Sequence, residues 1–192
     1  MGRDTMGSFP AFTAARVPDR LLNIRVQSRY WPQDLFSLNV HFGTDEDLKA
    51  LADALHERNM YLMVDVVVNH LGSTFSPPSS SSSSFNPFNE ELDYHPQCLI
   101  ADYNNQTQVE QCWLGDDNLA LADVNTENDE IVDTYNGWIK ELVGNYSVDG
   151  IRIDTVKHIR KDFWPNFASS SGVYTIGEVL DDDTSYVAAY TR

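Results

Sequence analysis

The stretch DGIRIDTVKH, residues 149–158, decides the fold. With Val148 ahead of it, it reads as a short, centrally buried strand over 148–153 that delivers a carboxylate, Asp154, at its C-terminal end. Side chains of a strand alternate faces, so Arg152 and Asp154 point one way while Ile151 and Ile153 point the other. A guanidinium and a carboxylate on the inner side of a parallel strand are costly unless paired and used. A buried ion pair that only fixes the strand is an equal alternative at this point. A second carboxylate in the same kind of position changes the balance.

Working outward, YLMVDVVVNH over 61–70 is nearly unbroken apolar sequence. That is the pattern of a parallel strand covered on both faces. Asp65 interrupts it on the face shared with Met63 and Val67, so it must meet a donor, and Arg152 is the candidate. Asn69 and His70 stand at the strand end, where α/β folds place their chemistry. A satisfied structural histidine is an equal reading of His70. Downstream, GVYTIGEV over 172–179 is a third strand, and it too delivers a carboxylate, Glu178. Before the first strand, Thr44 can cap a helix over 45–58, with Asp47 answering it in a capping box and Leu48, Leu51, Ala52 and Leu55 at helical spacing. Thr126 is expected to cap a second helix, with Ile131, Tyr135, Trp138, Ile139, Leu142 and Val143 as its buried stripe and Gly144 or Asn145 at its end. A short helix near 162–169 precedes the third strand.

Successive strand–helix units therefore bring Asp154 and Glu178 to one rim. Two carboxylates facing a cleft are what glycosidic cleavage requires, one attacking or activating water and the other donating a proton to the leaving oxygen. Arg152 beside Asp154 would keep that group ionised. Glu178, with no cation beside it in sequence, is the better acid.

About fifty residues, 71–124, separate the first strand from the second helix, far more than an ordinary connection. Two prolines and a serine run over 79–84 read as a flexible surface tract. The remainder is aromatic and acidic, and Glu110, Asp116, Asp117 and Asp123, with Asn69, offer oxygens of the kind calcium takes. A solvated acidic face is the stronger alternative on spacing alone. Cys98 and Cys112 can close a loop of about 15 residues, worth roughly 3 kcal/mol in an oxidising compartment. A free thiol pair is the alternative. Two N-x-[ST] triplets, at Asn105 and Asn145, lean toward secretion.

Composition narrows the partners. The 192 residues carry 29 acidic against 13 basic side chains, a formal charge of -16. That disfavours nucleic acid, whose phosphates need the opposite sign, and suits a neutral substrate or bound cations. No run approaches the roughly 18 apolar residues of a membrane span. Residues 1–28 lack the apolar stretch of a signal peptide, show little beyond a short apolar run over 21–26, and read as a leader of unclear status.

YLMVDVVVNH, DGIRIDTVKH and IGEVLDD, in this order, resemble three signature regions of the α-amylase family of glycoside hydrolases. The similarity to secreted fungal α-amylases runs over about 30–183. It implies an α/β fold comprising about strands three to five of a (β/α)8 TIM barrel, divided between 29–70 and 125–192, with 71–124 as a small, irregular inserted subdomain. By the same resemblance Asp154 is the nucleophile, Glu178 the general acid/base and Arg152 the partner of the nucleophile. Tyr30 and His70 line the sugar subsite next to the scissile bond, Lys157 and His158 lie on the leaving-group side, and Asp65 supports the site. Asn69, Glu110, Asp123 and the backbone carbonyl of His158 would bind calcium, and Cys98 would pair with Cys112. The implied activity is endo-hydrolysis of α-1,4-glucosidic bonds in starch or glycogen with retention, by an extracellular monomer. The alternatives are a related α-glucosidase or transglycosylase, and an inactive fragment or noncatalytic sugar-binding remnant. Ser28 stands where the family has a histidine. The first two barrel strands and the region of the third catalytic aspartate have no counterpart here, so a fragment is expected.

Overall fold

The computed structural model describes residues 32–72, 85–116 and 119–191. Expectations for residues 1–28, Tyr30, the serine tract over 79–84 and Asp117 lie outside the described residues, and Asp116 is described by its backbone alone.

Helix α1 (Asp45–His56) opens on the expected capping box, with the Thr44 side chain accepting from the Asp47 N–H and the Asp47 carboxylate accepting from the Thr44 N–H. Asn59, at φ 54°, turns the chain into strand β1 (Met63–Val66). Strands β5 (Gly150–Ile153) and β6 (Tyr174–Gly177) complete a parallel sheet in the order β1-β5-β6. The register sets Asp65 opposite Arg152 and Arg152 opposite Ile176. Helix α3 (Asp129–Tyr146) packs on α4 (Trp164–Ser171). Tyr135, Ile139, Phe163 and Phe167 are fully buried with Ile151 in the core. Tyr135 also donates its hydroxyl to the Val68 carbonyl at 2.7 Å, fixing the helix layer to the end of β1.

The expected partial (β/α)8 TIM barrel is not what the described residues form. They build two separate three-stranded sheets, one parallel and one antiparallel, and neither closes. Three parallel strands have two free edges, and closure needs a full circuit of tilted strands. Coverage is also one-sided. Ile151 and Ile153 are buried under the helices, whereas Tyr174 is 61% and Ile176 47% exposed on the opposite face. The apolar run in β1 predicted burial on both sides, but Asp65 there is exposed and Met63 and Val64 are only half-buried.

The segment expected to be an irregular subdomain holds the second sheet. Strand β4 (Leu119–Asp123) is its centre, pairing antiparallel with β2 (His70–Gly72) and β3 (Leu114–Asp116). Period-2 patterning is invisible in three-residue strands, which explains the miss. Helix α2 (Gln106–Gln111) is capped by Asn105, and Cys98 is disulfide-bonded to Cys112 just beyond it.

Helix boundaries also move. Asn128, not Thr126, caps α3, its side chain accepting from the Glu130 N–H. Thr126 is instead buried, with its carbonyl accepting from Arg160. The helix runs past Gly144 and Asn145 to end at left-handed Ser147, because Tyr146 still contributes to the core. The short fourth helix begins at Trp164 after a 3-10 turn.

Candidate active site

The site is built at the C-terminal ends of β1, β5 and β6. The ladder continues beyond the strands: Asp154 N–H donates to Val66 O at 2.9 Å, and Glu178 N–H donates to Ile153 O at 2.8 Å. Asp154 and Glu178 are therefore brought to one rim by backbone register. Gly177 is required beside them, since a Cβ there would sit 2.7 Å from Val156 Cγ2.

Arg152 is the hub. Its Nη1 lies 2.8 Å from Asp65 Oδ1 and 2.7 Å from Asp154 Oδ1, and its Nη2 lies 3.1 Å from Glu178 Oε2. The predicted Asp65–Arg152 pair is present. Glu178, with no cation beside it in sequence, meets one across the sheet: the register that pairs β5 with β6 brings it onto the same guanidinium. Burial opposes the charge of Arg152, but Asp65 and Asp154 more than offset this and hold it protonated.

Electrostatics shift the two carboxyls in opposite directions. Burial, and then hydrogen-bonding contact with Glu178, raise the Asp154 carboxyl above its ordinary range, against the pull of Arg152. Glu178 is lowered, first by the Thr155 N–H that donates to its Oε2 at 3.1 Å, then by Asp154 and Arg152, with burial opposing. Two carboxyls in contact share one proton. The opposed shifts favour the proton on Asp154 over Glu178.

Among the remaining sequence candidates, Lys157 and His158 occupy the 3-10 turn Val156–His158 that follows Asp154. Lys157 donates to the Leu180 carbonyl and lies 3.7 Å from Asp181, beyond Glu178 in sequence. The His158 ring is buried beneath α2, with Nδ1–H donating to the Val109 carbonyl at 3.0 Å, and burial lowers its pKa. His70 is buried at the start of β2, its Nδ1 3.4 Å from the Asn69 amide nitrogen.

The proposed calcium ligands divide into two groups. Asn69 and Asp123 are both 1% exposed, and Oδ1 of each lacks a hydrogen-bond partner. Two buried, unsatisfied oxygens are donors of the type a hard cation takes. Glu110 instead accepts from Gln106 Nε2 at 2.6 Å, and Gln106 Nε2 also lies 3.4 Å from the Lys157 carbonyl. Among the described residues, no group of three or more His, Cys, Asp or Glu side chains is arranged to hold a metal ion.

Sequence reasoning missed His95 and Glu127. His95 is held between Asp123 and Glu127, each 2.6 Å from a ring nitrogen. Burial disfavours its charge, yet the two carboxylates raise it to about 9. Burial lifts Asp123 to about 7 even against His95. No local pattern announces this cluster, because its first contact joins residues 28 positions apart.

Comparison with known proteins gives the chain its relatives. Residues 21–192 match the model of the alpha amylase catalytic domain. The chain belongs to the alpha-amylase family. It is 50% identical over 161 residues to alpha-amylase 1 of Lipomyces kononenkoae, covering 84% of this chain and 26% of that protein. With the alpha-amylase of Saccharomycopsis fibuligera the identity is 45% over 174 residues, covering 91% and 35%. An alpha-amylase structure from Malbranchea cinnamomea matches with a TM-score of 0.80 at 51% identity, covering 84% of this chain and 34% of that one. The acarbose complex of the Geobacillus thermoleovorans alpha-amylase matches at a TM-score of 0.73 and 32% identity, covering 84% and 35%. The chain thus spans about a quarter to a third of the length of these alpha-amylases.

Proposed function

We propose that the protein carrying this domain hydrolyses internal α-1,4-glucosidic bonds of starch or glycogen with retention of configuration. One observation carries the reading: Asp154 and Glu178 sit on adjacent strand ends and grip one guanidinium. Two carboxyls bridged by one guanidinium on neighbouring strand ends suit the close pair of a retaining site, in which one attacks directly, better than the wider pair of an inverting one. Asp154 forms the bond to the anomeric carbon as Glu178 hands a proton to the departing glycosidic oxygen. Glu178 then takes a proton from water, which displaces Asp154 from the sugar. These roles need Glu178 protonated and Asp154 ionised at the moment of attack. Arg152 stabilises Asp154 as a leaving carboxylate in the second step.

On the same reading Tyr30 and His70 contact the sugar on one side of the scissile bond, and Lys157 and His158 contact it on the other. Asp65 supports Arg152. Acarbose in the Geobacillus relative supports an α-glucan partner. Incubation of a version extended to the length of the relatives with long starch chains and with maltose tests the substrate. Rapid loss of polymer length is expected, whereas cleavage confined to maltose favours an α-glucosidase.

We also propose calcium at the joint between the segment 71–124 and the strand rim, held by Asn69, Asp123, Glu110 and the His158 carbonyl. The two unsatisfied oxygens support it. Bound there, calcium would supply positive charge that fixes the insert to the rim. Metal analysis of the extended protein is expected to find calcium, and stoichiometric zinc without calcium would contradict the assignment. The disulfide and the exposed Asn105 and Asn145 support an extracellular setting. Among the described residues, no helix is long and apolar enough to cross a membrane.

A further inference from the structure

Thr155 has φ 51° and ψ 37°, the left-handed region, where a β-branched residue is an outlier. Among the described residues two other non-glycine positions have positive φ, Asn59 and Ser147. Both follow the ends of α-helices, where left-handed residues are ordinary. Thr155 ends no helix. It directly follows Asp154.

What its conformation achieves is visible in the hydrogen bonds. The turn aims two successive N–H groups at Glu178: Thr155 N–H reaches the carboxylate Oε2 at 3.1 Å, and Val156 N–H reaches the backbone carbonyl at 3.0 Å. Glu178 N–H in turn donates to Ile153 O. Residues 153, 155 and 156 bracket Asp154, so the segment carrying one carboxyl holds the other by main chain and side chain. Val156 presses on Gly177, where a Cβ would not fit. The Thr155 hydroxyl makes no hydrogen bond although its oxygen is buried, so its side chain does not account for the arrangement.

We propose that Thr155 is a positioning residue, whose left-handed backbone holds the Glu178 carboxylate in register with Asp154. This rests on the reading of the two carboxyls as the reacting pair. A backbone donor favours the ionised form of Glu178, and the clamp thereby biases the shared proton toward Asp154. Substitutions that keep the left-handed turn leave the clamp intact; removal of the N–H releases it.

The test is NMR titration of the 192-residue chain, following the Thr155 amide proton and the side-chain carboxyl carbons of Asp154 and Glu178. The Thr155 amide is expected to titrate with the Glu178 midpoint, both in the parent and in Thr155→Gly, where glycine adopts the turn freely. In Thr155→Pro, which lacks the N–H, the Glu178 midpoint is expected to rise by about one pH unit. An amide at 155 that ignores Glu178 in the parent overturns the proposal even if the proline variant does not fold. So does a Glu178 midpoint that is the same in folded Thr155→Pro as in the parent. Because neither readout depends on hydrolysis, failure of the clamp is distinguishable from failure of the glycosidase reading. That reading fails instead if the extended protein hydrolyses starch equally well after Asp154→Asn.

Discussion

At the scale of single residues, Arg152 explains more of the site than either carboxyl does alone. One guanidinium satisfies Asp65, Asp154 and Glu178 together, and a group so placed is difficult to replace, since its loss leaves three carboxylates facing each other. If Glu178 transfers the proton, Glu178→Gln in a version extended to the relatives' length lowers kcat by about 10²–10⁴-fold, as measured on starch. His95 gives a separate pH dependence. Its folded pKa, raised from 6.5 to about 9, means that its contribution to stability is complete below about 6.5 and lost as pH rises through about 9. Asp123, raised by burial, works in the same direction at lower pH. Urea unfolding of metal-free protein is therefore expected to show stability falling from pH 6.5 to 9, and His95→Gln should flatten that slope; a rise over this range in the parent would contradict it. The Asp65–Arg152–Asp154 contacts were legible in sequence because strand parity places them on one face. His95, Gln106 and the link from Arg152 to Glu178 were not, since each depends on how distant segments meet.

At the scale of elements, local rules succeeded where a helix carried its own signal. The capping box at Thr44 and the stripe of α3 are both present. The start of α3 shows the limit of such rules. Thr126 and Asn128 are both good capping residues, and the choice between them falls to the tertiary position of Thr126, whose carbonyl receives Arg160. Asn128→Ala is thus expected to cost about 1 kcal/mol of stability through loss of the cap. Chemical denaturation measures this, and no change on Asn128→Ala would return the cap to Thr126. The antiparallel sheet of β2, β3 and β4 escaped detection for a related reason. Its strands are short and are specified by pairing across the insert rather than by their own pattern.

At the scale of the whole molecule, a small antiparallel sheet, in which His70 of β2 pairs with Asp123 of β4, is inserted in the chain between β1 and β5 of an open parallel sheet. The helix-covered face of the parallel sheet is well packed. The other face presents Tyr174, Ile176 and the Arg152 cluster to solvent, and its outer strands β1 and β6 have unpaired edges among the described residues. Catalysis depends on groups preorganised around the reacting bond and on exclusion of water, which a one-sided sheet does not provide. The 192-residue chain is accordingly expected to show little or no starch hydrolysis by itself, with activity appearing in a version extended to the relatives' length. The most direct test of the central claim, attack by Asp154 with proton transfer by Glu178, is proton NMR of the sugar freshly released by that extended version from an α-linked maltooligosaccharide. The account predicts that the α-anomer appears first and is lost with Asp154→Asn; initial release of the β-anomer would contradict it.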